Sequence, residues 1–157
     1  MAETIRPYRG GEICPGCRTP GLDSDVLVLE SEGVPPLNPG HGLVYSHWIV
    51  RACGNCGAGV LERLSHDCFP PLDPEDDPWD LIDQYPLSPA DMTRLRTLIR
   101  EECTRPLEPT CPCALHGSLR PSCAALPRDY SSAKHACPIT LSPPGEQARF
   151  VPITTTA

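Results

Sequence analysis

Cys14-Pro15-Gly16-Cys17 and Cys53-Gly54-Asn55-Cys56 are two C-x-x-C turns in a chain of 157 residues. Each sets two thiols on one tight turn. In the second, Gly54 and Gly57 relieve side-chain clash and permit positive φ. Residues 18–52 can form strands that return one turn to face the other. Four thiolates then converge on one point, the tetrahedral sulfur set that Zn²⁺ takes in structural sites. A lone C-x-x-C says little, but two at this spacing in one small chain are strong evidence. Four sulfurs also admit iron. Neither pair is followed by His, which covalent haem attachment would require. The first runs into Arg18-Thr19-Pro20-Gly21 and the second into Gly57, not into the helix that a thioredoxin-like redox motif needs.

Residues 13–17 (Ile-Cys-Pro-Gly-Cys) and 53–57 (Cys-Gly-Asn-Cys-Gly) resemble the two knuckles of a zinc ribbon, over about residues 12–66. The resemblance implies a small antiparallel sheet pinned at one end by Zn²⁺. The spacing between the knuckles is longer than in many ribbons, so a loop insertion is expected around residues 33–42. Zinc ribbons serve transcription, translation, enzyme subdomains and protein docking. The resemblance therefore speaks to fold and metal and little to activity.

Composition agrees with a metal-built fold. Hydrophobic residues are 39% and aromatics 5% of the chain, low for a self-sufficient core. The 21 prolines exceed the average usage of about 5% and imply much loop. A small core with long loops needs a staple, and ten cysteines supply candidates. Residues 1–17 hold no apolar signal-like run, and no stretch reaches the roughly 18–20 apolar residues that span a membrane. The expectation is a cytoplasmic protein, where cysteines favour metal over disulfide.

Strands are expected over residues 26–29, 43–51 and 60–65, where β-branched, aromatic and Leu side chains cluster. Residues 33–42, rich in Pro and Gly, read as loop. A helix over residues 88–103 has Ser88 as N-cap, Pro89 in its first turn and Asp91 at its positive end. Met92, Leu95, Leu98, Ile99 and Cys103 form its apolar stripe, with Arg94, Arg96 and Arg100 toward solvent. Pro106 stops it. The fold class is thus small, metal-stabilised α+β, with a zinc-ribbon antiparallel sheet, one main amphipathic helix and much irregular loop. Residues 1–123 form a single zinc-built domain: ribbon over 12–66, an acidic Pro/Trp loop over 67–87, the helix over 88–103, and a second Cys/His cluster over 104–123. Residues 124–157, with Cys137 unassigned, read as a mostly disordered Pro-rich tail.

That second cluster contains Cys103, Cys111, Cys113 and His116. A short helix starting near Pro112 would put Cys113 and His116 at i and i+3 on one face. Cys103 arrives from the end of the preceding helix. A Cys₃His set is an accepted structural zinc composition, and Cys123 is an alternative to Cys103 as fourth ligand. The competing reading is buried free cysteine, since Cys is among the most buried residues. One Zn²⁺ is expected at Cys14, Cys17, Cys53 and Cys56 (site 1), and a second at Cys103, Cys111, Cys113 and His116 (site 2).

The net charge is −7, and Lys134 is the only lysine. Residues 67–83 carry Asp67, Asp73, Glu75, Asp76, Asp77, Asp80 and Asp83 with no Lys or Arg. Such a run is either a solvated loop or a docking patch for a cationic partner. Phe69, Trp79 and Tyr85 interrupt it, which suits a partner-facing segment. Asp73, Glu75, Asp76, Asp77, Trp79 and Asp80 are the candidate contact residues for a basic protein surface. His66-Asp67-Cys68 offers a Cys–His pair without an oxyanion-hole signature, and His47 reads as a packed or sheet-surface residue. The chain lacks H-E-x-x-H, G-x-x-x-x-G-K-[ST], G-x-S-x-G and G-x-G-x-x-G, and no His-x-Glu accompanies the C-x-x-C pairs. The favoured reading is a non-enzymatic interaction protein: an adaptor, inhibitor or neutralising partner. The alternative is a nucleic-acid-binding ribbon, supported by Arg6, Arg9 and Arg18 and by the helix arginines, and opposed by the net charge.

Overall fold

The computed structural model describes residues 13–34, 44–66, 80–128 and 134–153. Strand β1 spans Leu22–Val34, β2 Val44–Cys53, β3 Gly59–His66 and β4 Asp80–Leu87. Helix α1 spans Pro89–Glu102 and α2 Ala114–Ala124. Three short strands follow: β5 Lys134–Ala136, β6 Ile139–Leu141 and β7 Phe150–Pro152. The main sheet has the order β1-β2-β3-β4-β5, antiparallel except for the parallel pair β4–β5. β6 and β7 form a separate antiparallel pair. The fold is small α+β, as expected.

Side chains alternate across a strand, so one face of the sheet collects Leu27, Leu29, Trp48, Val50, Leu61, Tyr85 and Leu87. Helices α1 and α2 cover this face with Met92, Leu95, Leu115 and Leu119, all at most 1% exposed. Trp48 and Tyr85 stack with ring centroids 5.9 Å apart, and the Tyr85 hydroxyl donates to the Pro127 carbonyl at 2.8 Å. The other face sets a buried polar group beside the apolar Val60, Leu64 and Ile82. It holds Arg51, Glu62 and Gln84, with Arg51 Nη1 3.5 Å and Gln84 Nε2 3.1 Å from Glu62 Oε2.

Helix α1 begins as its sequence dictates. Ser88 Oγ accepts from the Asp91 N–H at 3.1 Å, and Pro89 follows. Met92 and Leu95 are buried, Leu98, Ile99 and Cys103 are half-buried, and Arg96 and Arg100 face solvent.

Four expectations are corrected. Residues 80–87, expected within an acidic loop, form β4, because Ile82, Tyr85 and Leu87 are buried and pair along β3. Residues 134–153, expected as part of a disordered tail, contribute β5, β6 and β7, because Ile139, Leu141 and Phe150 close the apolar core. A second full helix, α2, runs through Pro121 and carries as much of the core as α1. β1 is also longer than expected and extends to Val34.

Candidate metal centres

Site 1 is built by two turns with matching hydrogen bonds. In the first, the Cys14 N–H donates to Thr19 O at 2.9 Å and the Arg18 N–H to Cys14 O at 2.7 Å. In the second, at the β2–β3 connection, the Cys53 N–H donates to Ala58 O at 2.8 Å and the Gly57 N–H to Cys53 O at 3.3 Å. The residue after each second cysteine turns left-handed: Arg18 has φ 59° and Gly57 φ 78°. Glycine meets that demand freely, and arginine does not. The amide of Asn55 donates to Thr19 Oγ1 at 2.9 Å and the Gly54 N–H to Gly21 O at 2.9 Å, which lock one turn against the other.

The four sulfurs of Cys14, Cys17, Cys53 and Cys56 lie within 4.8 Å of one another. Cys14 and Cys56 are 3.6 Å apart, and Cys17 and Cys53 3.7 Å. The packing is tight enough that a Cβ on Gly21 would sit 2.6 Å from Cys53 Sγ. The hydroxyl of Thr19, 3.0 Å from Cys17 Sγ, lowers the Cys17 pKa to about 6. Cys56 moves the other way. The Ala58 backbone bond favours its thiolate, but burial and the three neighbouring thiols push it up to about 12. Four thiols this close cannot all ionise unless a cation joins them.

Site 2 gathers ligands from three places. Cys103 caps the C-terminus of α1, Cys111 lies in the connection, and Cys113 caps the N-terminus of α2. The Cys113 sulfur accepts from the His116 N–H at 3.3 Å, so His116 is fixed one turn into the helix. Its Nδ1 lies 3.0 Å from Cys113 Sγ and 3.5 Å from Cys103 Sγ, and Cys103 and Cys111 are 3.8 Å apart. The other ring nitrogen, Nε2, donates to Val28 O at 2.9 Å. A carbonyl can only accept, so Nε2 carries the proton and Nδ1 turns a lone pair toward the sulfurs. Burial and the Cys113 thiol raise the Cys103 pKa to about 12, whereas the Cys113 backbone N–H lowers that of Cys111 to about 7. Burial also lowers the His116 pKa, which keeps the ring neutral. Arg120 anchors the surround, donating from Nε to Leu29 O at 2.9 Å and from Nη2 to Pro109 O at 2.6 Å.

The sequence therefore named both four-residue groups that converge. Cys103 belongs to site 2, and Cys123 lies in the apolar core at 2% exposed, its pKa raised by burial to about 12. Cys137 packs half-buried beside the core. His47 is buried on β2, with Nδ1 2.7 Å from Ser31 Oγ. Asp73, Glu75, Asp76, Asp77 and Trp79 lie outside the described residues, as do Arg6, Arg9, Asp67 and Cys68, while Asp80 opens β4. Thr19, Asn55 and the Val28 carbonyl are contributors that cysteine spacing does not reveal: Thr19 acts on Cys17 from two residues on, while Asn55 reaches Thr19 across 36 positions and the Val28 carbonyl reaches His116 across 88. Among the described residues, no helix is long and apolar enough to cross a membrane. The chain matches no family model, no curated protein and no solved structure.

Proposed function

We propose that sites 1 and 2 each hold one Zn²⁺, site 1 as the knuckle pair of a zinc ribbon, and that both ions are structural. The observation that carries this is the convergence of two separate four-donor sets, S₄ and S₃N, at mutual distances within 4.8 Å. Four protein ligands complete a tetrahedron and leave no open position, whereas catalytic zinc keeps one for water or substrate. Zinc would supply the cation that lets clustered thiols ionise together. Cys17 and Cys111, already biased toward thiolate, would be the first ligands to engage.

On this reading the protein is a non-enzymatic interaction module. Its acidic segment, with Asp73, Glu75, Asp76, Asp77, Trp79 and Asp80, docks a basic protein surface. Charge speeds association, and a tryptophan desolvated at the contact supplies affinity. Elemental analysis of the purified chain tests the metal reading. About two equivalents of zinc support it, and iron or a folded metal-free protein overturns it. Recovery of partners by the tagged chain, compared with Trp79→Ala and with Asp76→Asn/Asp77→Asn, tests the docking reading. A basic partner lost from these variants while zinc content is intact supports it. Steeply salt-dependent binding of RNA or DNA would replace it.

A further inference from the structure

β1 is an edge of the five-stranded sheet, and residues 104–112, which join α1 to α2, cross it as a strap. The Val28 N–H donates to Pro106 O at 2.9 Å, and Arg120 Nη2 of α2 donates to Pro109 O at 2.6 Å. Two further bonds fold the strap on itself, from the Glu108 N–H to Arg105 O at 3.2 Å and from the Cys111 N–H to Glu108 O at 3.1 Å. A groove lies on either side. One, of about 580 Å³, runs between residues 24–26, α1 and Pro106-Leu107. The other, of about 560 Å³, runs between residues 29–31 and residues 109–112, with Arg120.

The strap has no apolar anchor of its own. Of residues 104–112, Cys111 alone is buried, and Leu107 is 54% exposed. Pro106, Pro109 and Pro112 keep the segment out of regular structure and offer no N–H. A segment with so little buried apolar surface lies at the low end of local stability. The elements at its ends differ. α1 is held in the core by Met92 and Leu95, and α2 by Leu115 and Leu119. His116 is fully buried and reaches Val28 O from α2 itself. Both helices are therefore placed without the strap, whereas the strap's one buried side chain is a member of site 2. Site 1 is built otherwise: its knuckles bond to each other and its cysteines pack with Leu22, Ala58 and Val60.

We propose, resting on the zinc reading of site 2, that the ion there locks a conformational switch. Zinc on Cys111 holds the strap over β1, and its loss frees residues 104–112 while the helices, the sheet and site 1 keep their places. A ligand stabilises only the state that binds it, and the assembled four-residue set exists only with the strap closed. Binding free energy at site 2 is therefore closing free energy for the strap. Opening uncovers the Val28 N–H and merges the two grooves along β1. Zinc at site 1 governs folding, and zinc at site 2 governs the cover of one sheet edge.

The test compares the zinc-loaded full chain with Cys103→Ser and Cys111→Ser. The first removes a site 2 residue outside the strap, the second one within it. Elemental analysis counts zinc, and amide hydrogen exchange read by NMR reports each backbone bond. Both variants should lose about one equivalent, and the Val28 amide should exchange at least about tenfold faster than in wild type. The amides of Met92 and Cys53, bonded to Ser88 O in α1 and to Ala58 O at site 1, should keep their wild-type rates. The proposal is overturned if the variants lose zinc while Val28 exchanges as in wild type, because the strap then closes without metal. It is equally overturned if Val28, Met92 and Cys53 accelerate together, because the loss is then global. A wild-type protein carrying about one equivalent, none of it lost in Cys103→Ser, overturns the zinc reading of site 2 itself, and the metal count alone reveals that outcome.

Discussion

The Val28 carbonyl accepts a hydrogen bond from His116 Nε2 at 2.9 Å, across 88 positions of sequence. This contact joins the second cysteine cluster to the edge strand of the sheet. It sets the tautomer of His116, and a ligand imidazole held this way from its far nitrogen is both oriented and more basic. The cluster at the start of α2 is thereby a staple between two helices and β1.

Removing His116 should therefore empty one site and spare the other. His116→Ala is expected to lower zinc content by about one equivalent, with site 1 still loaded, because the two clusters share no residue. Cys103→Ser should lose the same equivalent. Elemental analysis of the purified variants is the readout. Wild-type stoichiometry in both would return Cys103 and His116 to a packing role.

The left-handed pair Arg18 and Gly57 gives opposite expectations for opposite substitutions. Arg18→Gly relieves a conformation costing about 1–2 kcal/mol in a non-glycine residue, offset by the greater chain entropy of glycine, for a net gain of about 0.5–1 kcal/mol. Gly57→Ala should cost about 1–2 kcal/mol from the backbone alone, since its added Cβ would meet only Pro89 Cβ, at 3.9 Å. Urea unfolding of the zinc-loaded variants decides this. Two shifts of the same sign would show that the turns are not governed by φ.

Both cysteine clusters and α1 were legible because their signals are local: short cysteine spacings, a Cys113–His116 pair one turn apart, and a Ser-Pro-x-Asp helix start. The parts that were missed are held by distant partners. β4 carries buried Ile82, Tyr85 and Leu87 among Asp80, Asp83 and Gln84, and the charge run hid the strand. Asp83 is itself buried, with Arg128 Nε 3.3 Å away, a pairing no local pattern announces. β6 and β7 are three residues each, too short to show a period of two. Their placement follows from contacts such as the Phe150 N–H donating to Ser122 Oγ at 3.0 Å.

If the C-terminal strands are part of the core, shortening their side chains must destabilise the whole fold. Phe150 is 3% exposed and belongs to the same apolar cluster as Leu95 and Leu119. Phe150→Ala should cost about 3 kcal/mol, at the lower end for a buried phenylalanine. Ile153→Ala, at a side chain 47% exposed, should cost under about 0.5 kcal/mol. Denaturant midpoints at fixed zinc give both values. Equal, small losses would mean that β6–β7 lie on the core without completing it.

His47 should give the protein an acid-sensitive component separate from its two cysteine clusters. The ring is 8% exposed between β1 and β3, and burial lowers its pKa from the ordinary 6.5. In the unfolded chain it takes a proton near that ordinary value, while in the fold it resists. Below about pH 6.5 the unfolded state thus binds more protons, and stability falls with pH until the lowered folded pKa is reached. Above that window His47 contributes no slope. His116 shifts in the same direction but belongs to site 2, so wild type alone cannot separate the two. His47→Asn can, because it leaves both cysteine clusters intact. Between about pH 7 and pH 5 the urea midpoint of wild type should fall more steeply than that of His47→Asn, each measured with zinc in excess. Parallel lines would mean that His47 accepts its proton inside the fold, and that its burial on β2 does not hold it neutral.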